Sequence, residues 1–152
     1  MQRISPAGIN TAAALIKINN LHLLLPQGEI RTLESSTDVD RAAPAVHSVG
    51  WASYLQKHWP VYCLTEQLAL INDIPPERHA CVMLTMGAGF IGVMCDDLTV
   101  IKNFTAQRFE LPVVMHLDHT PVLYLAEYEQ GVACVCNAGK LTAYIERLVL
   151  NA

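Results

Sequence analysis

Short apolar segments separated by turn-forming residues run along almost the whole chain. Segments of roughly four to eight residues between Gly, Pro, Asn or Asp are typical of β-strands, and unbroken apolar runs are typical of strands buried on both faces. The pattern predicts strands over residues 14–18, 21–25, 30–33, 49–55, 60–64, 79–86, 90–95, 98–101, 113–117, 122–127, 132–136 and 141–145. This regular spacing favours a barrel or sandwich over alternating strands and helices.

Turn and helix signals separate these strands. Asn19-Asn20 can adopt positive φ and predicts a hairpin between the first two strands. Gly131 and Asn137-Ala138-Gly139 predict turns between the last strands. The polar stretch 35–49 predicts a long connection. Apolar residues at helical spacing predict a short helix over 64–71, which Pro75-Pro76 ends. For residues 11–18 a helix is a competing interpretation, because three alanines favour it.

Residues 80–95 contain no charged side chain and could be mistaken for a membrane span. A bilayer needs about 20 apolar residues, and Gly87-Ala88-Gly89 interrupts this run. Two buried strands joined by a tight turn explain it better. The first 18 residues also lack the apolar core and cleavage site of a secretory signal. We expect no direct membrane insertion.

Length and charge narrow the class of protein. The 152 residues fit one domain, predicted over residues 12–152 behind a loose tail of residues 1–11 that contains Pro6 and Gly8. The 10 Lys and Arg residues are scattered and the net charge is −4. No basic stripe follows a phosphate backbone, so nucleic-acid binding is not expected.

The five cysteines lie in apolar strand patterns and form neither a CxxC pair nor a Cys/His cluster of zinc type. They are Cys63, Cys81, Cys95, Cys134 and Cys136. Cys134 and Cys136 would share one face of a strand, yet no third ligand is near them in sequence, and packed thiols are the better interpretation. An odd number of free thiols fits the cytoplasm.

Polar residues at two places bear on chemistry. His116, Asp118 and His119 could hold a metal or serve acid-base catalysis. On a strand, however, His116 and Asp118 would share a face while His119 points away. A β-barrel metal-binding protein or enzyme that uses these three residues is the alternative function. Asp96 is interpreted as a strand-end partner for backbone N–H groups.

Aromatic and basic residues cluster over residues 51–59. The cluster comprises Trp51, Tyr54, Lys57, His58 and Trp59. Its tryptophans could be core residues, or they could anchor a partner, because aromatic side chains dominate interface hot spots.

The chain resembles CheW-like domains, the adaptor module of bacterial chemosensory arrays, over nearly its whole length. Residues 15–33 resemble the family's opening hairpin, Gly50-Trp51 and 60–64 the ends of its central signature, 91–96 its third signature, and 130–145 its closing hairpin. Two departures mark a divergent member. Gln56-Lys57-His58 stands where the family usually has Arg-Gly, and Cys63 replaces a usual Asp.

The resemblance implies a mainly all-β fold of two intertwined five-stranded β-barrels, with one or two short helices and an apolar groove between the barrels. It implies a non-enzymatic adaptor without cofactor, which couples a chemoreceptor to a sensor histidine kinase in chemotaxis or twitching motility. One barrel edge would bind the regulatory domain of the kinase, and the groove would bind the cytoplasmic helical hairpin of the receptor. The residues expected to bind a partner are Gly50, Trp51, Tyr54, Lys57, His58 and Trp59.

Overall fold

The computed structural model describes residues 3–4, 11–104, 108–111, 120–128 and 131–152. The strands are β1 (Arg3–Ile4), β2 (Thr11–Ile18), β3 (Leu21–Pro26), β4 (Ile30–Ser35), β5 (Gly50–Tyr54), β6 (Lys57–Leu64), β7 (Leu70–Ile71), β8 (Ala80–Met86), β9 (Gly89–Cys95), β10 (Asp97–Phe104), β11 (Arg108–Phe109), β12 (Tyr124–Tyr128) and β13 (Gly131–Val135). One α-helix, α1 (Ala138–Asn151), follows them, and Gln27–Glu29 and Ser36–Asp38 form short 3₁₀ turns.

The strands form two curled sheets. The first sheet has the order β1-β11-β12-β13-β3-β2-β10, and the second has the order β4-β8-β9-β6-β5, with β7 paired to β6. When the two-residue strands β1, β7 and β11 are set aside, each sheet has five strands. The predicted mainly all-β architecture with a short helix is confirmed. Each sheet contains one parallel pair, β13 with β3 and β6 with β9.

Central strands of both sheets are buried on both faces. In β8, Val82 and Leu84 pack in a core shared by the two sheets, whereas Cys81 and Met83 pack inside the second sheet. The shared core contains Ile16, Ile18, Leu23, Leu25, Tyr62, Leu64, Val82, Leu84, Ile91, Val93, Cys95, Leu141 and Ile145. Successive side chains alternate between the two cores, so every position must be apolar. This explains the uncharged run over 80–95, which forms the predicted pair of buried strands.

The predicted helix over 64–71 is wrong. Leu64 ends β6, and β7 turns back and pairs with it. The Thr65 N–H donates to the Ala69 carbonyl at 2.8 Å, and Leu68 adopts a φ of +63° in the turn. Leu68 and Leu70 still pack against the shared core. A hairpin therefore buries the apolar side chains that the predicted helix would have buried.

The predicted strand over 141–145 is also wrong, since these residues lie in α1. Asn137, expected in a turn, is the N-cap of the helix, and its side chain accepts the Lys140 N–H at 2.7 Å. Leu141 and Ile145, four residues apart, are buried on the same helix face. The spacing of Leu141 and Ile145 is that of a helix face, and Asn137 fits a helix N-cap as well as a turn.

The N-terminal region differs from the prediction at two points. Residues 11–18 form β2, so the helical alternative is wrong. Arg3–Ile4, placed in a loose tail by the sequence, forms β1 and pairs with β11. The remainder of the predicted tail before residue 11 and the predicted strand over 113–117 lie outside the described residues.

Gly92 provides a test of the packing inside the second sheet. A Cβ at this position would lie 2.6 Å from Cys81 Sγ and 2.9 Å from Val61 Cγ2. We expect Gly92→Ala to lower the free energy of unfolding by about 1–3 kcal/mol, because the neighbouring core must shift. Urea unfolding measures the change. Gly28→Ala is the matched control, since nothing lies within 4 Å of its Cβ position; equal losses in both variants would contradict the assignment.

Candidate partner-binding surfaces

The predicted partner-binding residues lie on the β5–β6 hairpin, whose register divides them between two faces. Ala52 lies opposite Trp59, and Ser53 lies opposite His58. Directly opposed residues share a face, and successive residues alternate. Buried Ala52 therefore marks the face that points into the second sheet. The inner face carries Gly50, Tyr54, Lys57 and Trp59, and the outer face carries Trp51 and His58.

Trp59 belongs to the structure of the second sheet. Its indole N–H donates to the Tyr54 carbonyl at 2.8 Å, and its ring meets Phe90 edge to face at a centroid distance of 5.2 Å. Tyr54 meets Phe90 in the same way at 4.8 Å. The indole also covers Gly89, where a Cβ would lie 2.7 Å from the ring. These three aromatic side chains close one end of the inner core.

Gly50 has a structural role as well. A Cβ on Gly50 would lie 2.5 Å from the Asp40 carbonyl oxygen. This close approach allows Asp40 and Trp51 to exchange two backbone hydrogen bonds, each 2.8 Å long. The segment around Asp40 thereby covers part of the free edge of β5, which would otherwise expose unpaired backbone groups.

Of the three predicted aromatic residues, Trp51 is the one that the hydrophobic clusters of the described residues do not include. It is half-buried on the outer face, and its indole N–H donates to the Ala43 carbonyl at 2.9 Å. Val46, in the same connecting segment, is 74% exposed. We call Trp51, Ser53, His58 and Pro60 the outer β5–β6 face. On this face the Trp51 ring is held by its hydrogen bond and packs in none of the core clusters formed by the described residues.

The turn between β5 and β6 lies at other residues than the sequence predicts. Gln56-Lys57-His58 was expected between two strands, but Leu55-Gln56 forms the turn, and Lys57 and His58 belong to β6. Leu55 and Gln56 have φ values of +51° and +64°, a conformation that favours Gly or Asn. Leu55 is 65% exposed. The turn could not be predicted, because neither leucine nor glutamine is typical of these left-handed positions.

A cleft of about 440 Å³ lies beside α1. The family resemblance implies an apolar groove but names none of the residues that line this cleft. It is lined by Glu29, Arg31, Thr85, Met86, Gly87, Ala138, Gly139, Thr142, Ala143 and Glu146. It lies between α1 and the second sheet, because its lining comes from α1, the segment leading into β4, and the end of β8 with the following turn. The Glu29 carboxylate accepts the Ala138 N–H at 2.7 Å and ties one wall to the helix. The small residues on α1 were the signal available in the sequence.

A buried ion pair was also missed. Arg78, whose side chain is 1% exposed, donates to Asp96 Oδ1 at 2.6 Å and to the Leu64 carbonyl at 2.9 Å. Asp96 Oδ2 accepts the Asn19 N–H at 2.8 Å, so the predicted role of Asp96 as a backbone partner is confirmed. The pair connects the β2–β3 turn of the first sheet with the end of β6 in the second.

The arrangement of the two sheets is known from a solved protein. The structure is similar to the crystal structure of the scaffolding protein TtCheW from Thermoanaerobacter tengcongensis, with a TM-score of 0.67 over 88% of this chain and 92% of that chain. This chain has a CheW-like fold. The sequence identity is 13%, so the likeness shows the fold, and the sequence is divergent. No protein-family profile matches the sequence, and no curated protein is significantly similar to it.

The cysteines of this CheW-like fold are packed thiols. All five are free; four are buried, and Cys134 is half-buried. Burial raises the pKa of the Cys81 and Cys95 thiols to about 12, so thiolate is scarce at neutral pH and both side chains behave as small apolar groups. Burial also raises the pKa of Cys134 and Cys136.

His116, Asp118 and His119 lie outside the described residues, so the metal or acid-base site stays a prediction. Within the described ranges, no group of three or more His, Cys, Asp or Glu side chains could hold a metal ion. No helix in that part of the CheW-like fold is long and apolar enough to span a bilayer.

The two tryptophans should respond differently to truncation. We expect Trp59→Ala to lower the free energy of unfolding by about 3 kcal/mol or more, because it empties the end of the inner core. Trp51→Ala should cost about 1 kcal/mol, since one hydrogen bond and a half-buried ring are lost. Urea unfolding of both variants tests this. A larger loss for Trp51→Ala would place Trp51 among the residues that hold the fold together.

Proposed function

We propose that this protein is a non-enzymatic adaptor that couples a chemoreceptor to a sensor histidine kinase, in chemotaxis or in twitching motility. The observation that carries the proposal is the CheW-like fold over 88% of the chain, shared with a protein described as a scaffold. The two exposed features of the fold described above supply surfaces for two partners. Both partners would meet the adaptor in the cytoplasm, where its free thiols stay reduced.

The outer β5–β6 face is the proposed site for the regulatory domain of the kinase. Trp51 offers a large apolar surface already fixed by its hydrogen bond to Ala43, so little side-chain entropy is lost on binding. Leu55 and Val46 add exposed apolar area on neighbouring turns. His58 is an exposed polar residue of this face, and the exposed Lys57 lies beside it in β6 on the opposite face. Lys57 replaces the charge of the family's arginine without its two-pronged hydrogen-bonding geometry.

The cleft beside α1 is the proposed site for the helical hairpin of the receptor. Gly87, Gly139 and Ala143 line it with small side chains, so a partner helix can approach the backbone closely. Met86 supplies an adaptable apolar wall, and the charged side chains of the lining form a polar rim. This matches recognition of a helix by an apolar groove. Each interface would be modest in area, and assembly in an array would raise the effective affinity.

A pull-down from the native host tests the proposal as a whole. Tagged wild-type protein should retain a histidine kinase and a chemoreceptor, identified by mass spectrometry. Trp51→Ala should reduce kinase recovery by about tenfold or more, as truncation of an aromatic hot spot does, while circular dichroism remains that of the wild type. Val132→Ala is the control, because Val132 is 53% exposed on the first sheet. Retention of neither partner by the wild type would overturn the adaptor role.

Filling the cleft tests the receptor site separately. Ala143 is exposed on α1 and lines the cleft, whereas Arg147, one turn later, is exposed and does not line it. We expect Ala143→Leu to abolish most receptor recovery and to leave kinase recovery unchanged, because the added side chain occupies the groove. Arg147→Leu introduces the same residue elsewhere on the helix and should leave both unchanged. Equal receptor recovery by all three proteins would exclude the cleft.

A further inference from the structure

Arg78 places a positive charge in the interior at the junction of the two sheets. Its side chain is 1% exposed, and the residue is among the largest fully buried side chains of the described chain. Two guanidinium nitrogens are hydrogen-bonded, one to Asp96 and one to the Leu64 carbonyl, whereas Nε has no partner within the described residues. Burial of such a group is costly even when it is paired.

The pair connects two parts of the chain that are distant in sequence. Asp96, which binds Arg78, also accepts the Asn19 N–H, and its own N–H donates to the Lys17 carbonyl at 2.8 Å. Asn19 Nδ2 donates to Glu77 at 3.1 Å, beside Arg78 in sequence. The turn of the β2–β3 hairpin is thus held by polar contacts, whereas the shared core beneath it is apolar.

A buried ion pair is weak evidence of net stability. Replacing a buried ion pair by apolar residues of similar volume is often neutral or stabilising, and Arg78 adjoins the fully buried Cys63 and Leu64. Apolar contacts between sheets are non-directional, and they tolerate small sliding movements. A guanidinium that must reach one carboxylate and one carbonyl together is directional, and it accepts one placement of the hairpin.

We infer that the Arg78–Asp96 pair is a positioning device, which fixes the β2–β3 hairpin of the first sheet against the second sheet without adding net stability. Hydrophobic burial brings the sheets together, and the ion pair selects one relative placement. The inference is independent of the proposed function, since it concerns the fold and requires no partner.

Three variants test it: Arg78→Met, Asp96→Asn and the double variant. Asp96→Asn should lower the urea midpoint most, because it leaves a buried cation unpaired. Arg78→Met should lower it less, because the Asp96 carboxylate that it leaves unpaired is 22% exposed to solvent. The double variant should recover most of the lost midpoint. It should nevertheless show amide exchange at Asn19 at least tenfold faster than the wild type. Residual dipolar couplings fitted separately for the two sheets should no longer share one alignment.

Two results would overturn the inference. One is a double variant with wild-type exchange at Asn19 and a single shared alignment of the sheets. The other is a double variant no more stable than Asp96→Asn, which would make the pair a net stabiliser. If the double variant does not fold, Arg78→Lys carries the test, because lysine keeps the charge but lacks the planar fork. Its Asn19 exchange should rise at least tenfold, and unchanged exchange would contradict the inference.

Discussion

The burial of both faces of the central strands governs the rest of this structure. β2, β3, β6, β8 and β9 each send alternate side chains into the core shared by the sheets and into the interior of their own sheet. The buried stretches of these strands have no solvent face on which a polar or reactive side chain could be placed without large cost. Among the described residues, exposed positions therefore lie mainly at strand ends, edges and turns and on the outer side of α1, and both proposed docking surfaces lie there.

The predicted partner-binding residues divide between the two faces of the β5–β6 hairpin. Gly50 and Trp59 lie in the signature region, yet each has a packing role, one in admitting the Asp40 segment and the other in covering Gly89. Trp51, on the opposite face of the same hairpin, packs in no core cluster of the described residues. A single step along β5, from Gly50 to Trp51, separates a residue that packs inside the second sheet from one that faces outward.

The strands were predictable because continuous apolar runs of this length leave few alternatives, as in residues 80–95. The helix α1 was misread because Asn137 and Gly139 serve equally well in a turn and at a helix start. The turn at Leu55-Gln56 carries neither Gly nor Asn at its left-handed positions. Arg78 gave no signal at all, because an arginine after two prolines reads as a solvated loop charge until the fold brings Asp96 to it. Whether a segment forms a strand can be predicted from its own residues. The ion pair and the cleft depend on contacts between segments that are distant in sequence.

The parallel pairing of β13 with β3 has a consequence for how the molecule is made. The second sheet is built from one continuous stretch, β4 to β9, and can assemble while the chain is still emerging from the ribosome. The first sheet cannot be completed until β13 arrives, although β2 and β3 are synthesised before every strand of the second sheet. The β2–β3 hairpin is made early, but its neighbour β13 is the last strand to be synthesised. Long-range pairing of this kind slows folding and leaves partly folded intermediates that are prone to aggregate. Until β13 is made, the apolar side chains that β2 and β3 contribute to the shared core can be covered only by the second sheet, whose strands supply the other side of that core.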